Sequence, residues 1–192
     1  RRMVKAATRI VLAYEDTTDT VRAAGAAWYP EALTYARTLW PEHPERAAGI
    51  IAATSPQTGW DVNKASAAAV VSCVRNGRPC PAVQTKPMRA QAWRIANGEP
   101  WADVLNGPKV RAFAANILGD DDAVTVDRWA ARVAGLEPKG GSIPARLYRL
   151  IAAAYVLAAK LLGIAARFLQ ATVWIAARIA DAPPHSFARL AA

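Results

Sequence analysis

The sequence predicts an all-α fold: nine to ten helices in a single domain of two lobes. Three observations predict it. Hydrophobic residues make up 53% of the 192 residues, and much of that share is alanine, the strongest helix former. Long alternations of Val, Ile, Thr and Tyr, which mark strands, are absent. Apolar segments are closed repeatedly by Asn-Gly and opened by proline, the punctuation of helices. A chain of this length buries a sizeable core without disulfides or metal.

The elements follow in order. A first helix is expected over Met3–Tyr14, marked by Val4, Ile10, Val11 and Tyr14. A second is expected from Thr20 to Trp40, interrupted near Tyr29-Pro30, where the proline starts a new helix. A third begins near Pro44, carries Ala47, Ala48, Ile50, Ile51 and Ala52, and stops around Ser55-Pro56. A fourth covers Asp61–Arg75 and ends at Asn76-Gly77. The proline-rich stretch Arg78–Pro87 reads as a loop. Met88–Ala96 is helical and closed by Asn97-Gly98, and Pro100–Leu105 is a short helical turn. Pro108–Leu118 has proline at its first position. Asp127 opens a helix that ends at Gly135, and Ile143–Leu162 and Ala165–Ala180 complete the set. The tail, 181–192, is expected to be loosely held.

The net charge of +9 argues for an anionic partner. No carboxylate lies between Asp61 and Glu99, whereas Lys64, Arg75, Arg78, Lys86, Arg89 and Arg94 do. The pattern returns between Glu137 and Asp181 with Lys139, Arg146, Arg149, Lys160, Arg167 and Arg178. These stretches can build a basic face or be ordinary solvated helix surface. The apolar stretch Leu150–Ala177 is broken by Lys160 and Arg167 into runs shorter than the roughly 20 residues a spanning helix needs. It therefore reads as two core helices, and no membrane partner is expected. Cys73 and Cys80 lack metal-ligand spacing, so no metal site or cluster and no cofactor is expected, and a reduced cytoplasmic setting fits. The run Asp120–Asp122 reads as a solvated turn. His43 and His185, the only histidines, sit in no recognisable hydrolase context.

Two segments carry candidate chemistry. The first, Leu105–Val133, reads LNGPKVRAFAANILGDDDAVTVDRWAARV. A turn through Asn106-Gly107 restarts a helix at Pro108 and exposes backbone N–H groups where a phosphate can bind, with Lys109 and Arg111 beside it. The second, Gly49–Val70, reads GIIAATSPQTGWDVNKASAAAV. In this order the two segments resemble the helix-hairpin-helix superfamily of DNA glycosylases, in particular endonuclease III-like members. Val126-Asp127 and Arg132-Val133 match that family's VD-x-x-x-x-RV segment, and Ser55 to Lys64 parallels its serine–glutamine turn followed by VNK. The resemblance spans residues 47–135. The chain departs from the pattern in three places: Gly107 is the hairpin's single glycine, Arg128-Trp129 replaces Thr-His, and the iron–sulfur cysteines are missing.

The resemblance implies a two-lobed helical glycosylase fold, a compact phage-type size and double-stranded DNA as partner, with a monomer expected. It implies that Asp127 is the catalytic carboxylate, that Lys109 is a Schiff-base nucleophile and that Gln57 fills the gap left by an extruded base. Asn63, Lys64, Asn106, Gly107, Arg111 and Arg128 become candidate DNA contacts, and Trp60 and Trp129 candidates for stacking on the base. Each has a plainer reading. Asp127 suits a helix N-cap, Lys109 a solvated first turn, Gln57 a loop, and Asn63 a bond across its turn. At the level of function, a base-modifying enzyme on hypermodified pyrimidine DNA and a non-catalytic DNA-binding module stand beside the glycosylase reading.

Overall fold

The computed structural model describes residues 1–78 and 85–181. Cys80, His185, the expected tail beyond Asp181 and most of the expected loop between Arg78 and Pro87 lie outside the described residues. Among the described residues there are ten helices and no strand, and the helices hold 73% of them. They are α1 (Arg2–Glu15), α2 (Asp19–Leu39), α3 (Pro44–Thr54), α4 (Trp60–Arg75), α5 (Lys86–Ala96), α6 (Trp101–Val104), α7 (Pro108–Ile117), α8 (Arg128–Val133), α9 (Ala145–Leu162) and α10 (Ala166–Asp181).

Two expectations about boundaries are corrected. Pro30 does not restart a helix; α2 runs through it for 21 residues. The ring removes one backbone donor, and the remaining bonds of a long helix tolerate the loss. The helix expected from Met88 begins at Lys86, with Thr85 as N-cap and Pro87 in the first turn, where a missing N–H goes unused.

The chain divides into two compact units. One holds Pro30–Asp120, and α3 is its centre. Every residue from Ala47 to Thr54 is buried, and α4, α5, α6 and α7 all pack on α3. Small residues make this possible. A Cβ at Gly49 would fall 2.6 Å from the Cβ of Trp101, so glycine sets how closely α6 approaches. Ile50, Ile51, Ile95, Leu105 and Ile117 fill the remaining space, each stabilising the unit by about 1.5–3 kcal/mol.

The other unit holds Arg1–Tyr29 and the described residues from Asp121 onward. Helix α9 packs along α1 and against α10, and α8 lies on α10. Its core contains Ile10, Val124, Val126, Ile151, Leu169 and Val173, and also the side chains of Tyr148 and Tyr155. Gly163, at φ +68°, ends α9 in a left-handed conformation, and the chain turns by 103° into α10. The exposed Asp121 secures that start: its carbonyl accepts from the Ala166 N–H at 2.9 Å, and its carboxylate accepts from Arg167 Nε at 2.7 Å. Among the described residues no single helix is long and apolar enough to cross a membrane, although α9 and α10 together have the length and composition. Both give a face to the core, through residues such as Tyr155, Ala158, Leu169 and Val173.

Candidate functional site

Asp127 stands immediately before α8 and is that helix's N-cap. Its backbone is extended, and Oδ1 accepts from the Ala130 N–H at 2.9 Å. Oδ2 accepts from the indole Nε1–H of Trp174, on α10, at 3.1 Å. The plainer structural role foreseen for Asp127 is therefore real, and each carboxylate oxygen retains capacity for a further bond. The residue is half-buried.

The segment leading to Asp127 is anchored by buried phenols. Tyr148, on α9, donates to the Val124 carbonyl at 2.7 Å and accepts from the Val126 N–H at 3.2 Å. Tyr155, two turns further along α9, donates to the Ala130 carbonyl at 3.3 Å. Tyr29 donates to Gln170 Oε1 at 2.8 Å and lies 3.3 Å from the Thr125 hydroxyl. Backbone or side chain is thus gripped at residues 124, 125, 126 and 130, bracketing Asp127. Burial pushes the Tyr148 hydroxyl up to about 12, and the negative charge of Asp127 adds to the effect. Burial, again with a contribution from Asp127, raises Tyr29 and Tyr155 as well. All three phenols are therefore neutral donors near neutral pH.

Arginines stack on indoles along α8 and α10, the two helices that hold this carboxylate. Trp129 carries the guanidinium of Arg128 at 4.9 Å from its ring and that of Arg132 at 4.7 Å. Arg132 is also paired with Glu137 at 3.3 Å and with Asp181 at 3.2 Å. Arg178 lies 4.6 Å over the ring of Trp174, and the Trp28 ring meets Trp174 edge-on at 5.9 Å.

The other candidates lie in the Pro30–Asp120 unit. Gly107 has φ +94°, a conformation that favours glycine, and it leads into Pro108 at the start of α7. No side chain caps this helix. The Asn106 N–H reaches Gln91 Oε1 at 3.4 Å, and Arg111 Nε donates to the Leu105 carbonyl at 2.7 Å. Arg111 thus braces the turn in addition to lying beside it. Lys109 is half-buried in the first turn, with no ion pair or hydrogen bond from its amine among the described residues.

At the α3–α4 turn, Gln57 is exposed at φ +62°, the one non-glycine residue with positive φ among those described. Asn63 is corrected: it is 2% exposed, and its Oδ1 accepts from the buried Thr54 hydroxyl at 2.7 Å. It makes the bond across the turn and does not reach a ligand. Lys64 pairs with Asp61 at 3.0 Å and sits 5.7 Å over the half-buried Trp60 ring, which meets Tyr35 edge-on at 6.1 Å. Asp127, Arg128 and Trp129 therefore cluster in one unit, and Gln57, Trp60, Lys64, Asn106, Gly107, Lys109 and Arg111 belong to the other.

A model for a family of unknown function, DUF7178, matches residues 1–181. The chain belongs to DUF7178. No curated protein and no solved structure matches it. The matched stretch of this DUF7178 chain contains the Asp127 cluster and the Gly107 turn alike. It also contains Trp174, Tyr29, Tyr148 and Tyr155, which sequence reasoning did not single out as site residues. Trp174 lies 47 residues from Asp127, and no local pattern links the two.

Proposed function

We propose that this protein is a DNA-binding enzyme that extrudes one nucleotide and acts at its N-glycosidic bond, with Asp127 as the working carboxylate. The observation that supports it most is a half-buried carboxylate held by two neutral donors, on a segment clamped by three buried tyrosines. Cleaving a sugar–base bond builds positive charge on the sugar, and a fixed negative group stabilises that charge without reorganising. Neutral donors position Asp127 without cancelling its charge. The resemblance of the Val126–Val133 segment to helix-hairpin-helix glycosylases supports the same role.

The remaining residues take supporting roles. The uncapped start of α7, entered through Gly107, suits a backbone phosphate, with Lys109 as a nearby cation or nucleophile. Gln57, exposed in a strained conformation, suits insertion into the duplex. A second reading, a DNA-binding module without catalysis, is favoured by one observation: both Asp127 oxygens already serve the fold.

Duplexes carrying damaged or modified bases, assayed for strand nicking after alkali, test the proposal. Wild type should nick at least one of them, and Asp127→Asn should lose about a hundredfold or more. Equal activity in the two proteins would remove Asp127 from the chemistry. Activity in neither, with duplex binding retained, would favour the non-catalytic module. A covalent adduct trapped by borohydride and lost in Lys109→Gln would assign the nucleophile.

A further inference from the structure

Four arginines lie on α8 and α10, and they fall into two kinds. Arg132 and Arg167 are neutralised by Glu137, Asp181 and Asp121. Arg128 and Arg178 have no carboxylate partner among the described residues, although both are near one. Arg128 follows Asp127 directly. The guanidinium of Arg178 rests 4.6 Å over Trp174, whose N–H binds Asp127 Oδ2 at 3.1 Å. A guanidinium beside a half-buried carboxylate ordinarily pairs with it, often through two bonds. Here an indole and a backbone N–H hold the carboxylate, and each arginine is laid on an indole face.

Stacking of this kind orders a guanidinium and leaves its N–H edge to bind an anion. One pre-ordered cation, Arg178, thus lies a single side chain away from a carboxylate it does not neutralise, and a second, Arg128, is that carboxylate's neighbour in sequence. That arrangement fits a ligand whose anionic groups adjoin the bond on which the carboxylate acts. A phosphodiester backbone has this chemistry, with a phosphate on each side of every sugar.

We propose that Arg178, seated on Trp174, and Arg128, seated on Trp129, form a phosphodiester-binding pair beside the Asp127 carboxylate. The inference rests on the DNA reading above and extends it to residues of α10. Arg178 binds the backbone and takes no part in bond cleavage.

The test is fluorescence anisotropy of a labelled DNA duplex with the full chain across a series of salt concentrations. The proteins are wild type, Arg178→Gln, Arg128→Gln, Arg178→Lys and, as comparator, Arg37→Gln on the exposed side of α2. Each glutamine variant of the pair should bind about fivefold to tenfold more weakly and reduce the slope of log affinity against log salt by about 1. Arg178→Lys should keep the wild-type slope, and Arg37→Gln should leave both quantities unchanged. Arg128 is exposed, so its variant keeps the test decisive if Arg178→Gln unfolds. Duplex binding with an unchanged slope in both glutamine variants overturns the pair and leaves the DNA reading standing. No duplex binding by wild type overturns the DNA reading and the pair with it. Loss of binding to anionic phospholipid vesicles in these variants, with duplex binding unchanged, would transfer the arginines to a lipid surface and overturn the proposal.

Discussion

The interiors of the two units differ in kind. Around α3 the Pro30–Asp120 unit is packed mainly with alanine, isoleucine and leucine, and it also buries Thr54, bonded to Asn63, together with Ser66 and Asn116. Around Asp127 the other unit buries Tyr29, Tyr148, Tyr155, Gln170 and Thr125 and bonds them to the segment 124–130. A mostly apolar core holds helices together. A polar core, fully bonded, also fixes the position of a particular stretch of backbone. The comparison teaches that this fold gathers its buried phenol bonds on the segment that presents a carboxylate, whereas specific bonds in the other unit brace helix turns such as Thr54–Asn63 and Arg111–Leu105.

The largest effect that would sharpen this contrast is a truncation in the apolar interior. Ile51→Ala should lower stability by about 2–4 kcal/mol, measured by urea unfolding, and leave the Asp127 region intact in spectra of Trp174. An equal loss from Tyr155→Phe, which removes a single hydroxyl worth about 1 kcal/mol, would break the distinction between the two interiors.

Next in size is the cap. Asp127→Ala should cost about 1–2 kcal/mol, since it strips the Ala130 N–H of its partner and leaves the Trp174 indole N–H unbonded. Asp127→Asn should cost less, because an amide oxygen still caps the helix. Differential scanning calorimetry of both variants checks the order.

A pH effect follows from the phenols, and it is largest where they are buried around Asp127. An unfolded tyrosine loses its proton near 10, whereas folded Tyr148 holds it to about 12. The raised value means that its stabilising contribution is complete below pH 10 and is lost as pH climbs through about 12. Urea midpoints should therefore be flat from neutrality to about pH 9 and fall above pH 10, with a shallower fall in Tyr148→Phe.

Much of the fold was legible in the sequence because helix punctuation is local. Asn76-Gly77, Asn97-Gly98 and Pro108 mark helix ends at or within a residue of where they lie. Pro30 misled because the rule against internal proline yields in a helix as long as α2. Lys86-Pro87 was taken for loop because a proline cluster precedes it. At the site, the capping geometry of Asp127 follows from its residue type and place. Its bond to Trp174, and the grip of Tyr29, Tyr148 and Tyr155, depend on helices that meet only after folding. Asn63 illustrates the same limit: its position beside Lys64 suggested a surface, and only the packing of α3 on α4 shows it buried.

The central claim is that Asp127 acts on a glycosidic bond and does not merely cap α8. Chromatographic detection of free base released from a modified-base duplex, under single turnover, tests it most directly. The account predicts release by wild type and, from an Asp127→Asn protein that melts within a few degrees of wild type, release slowed by about a hundredfold or more. Equal release by the two proteins would contradict it.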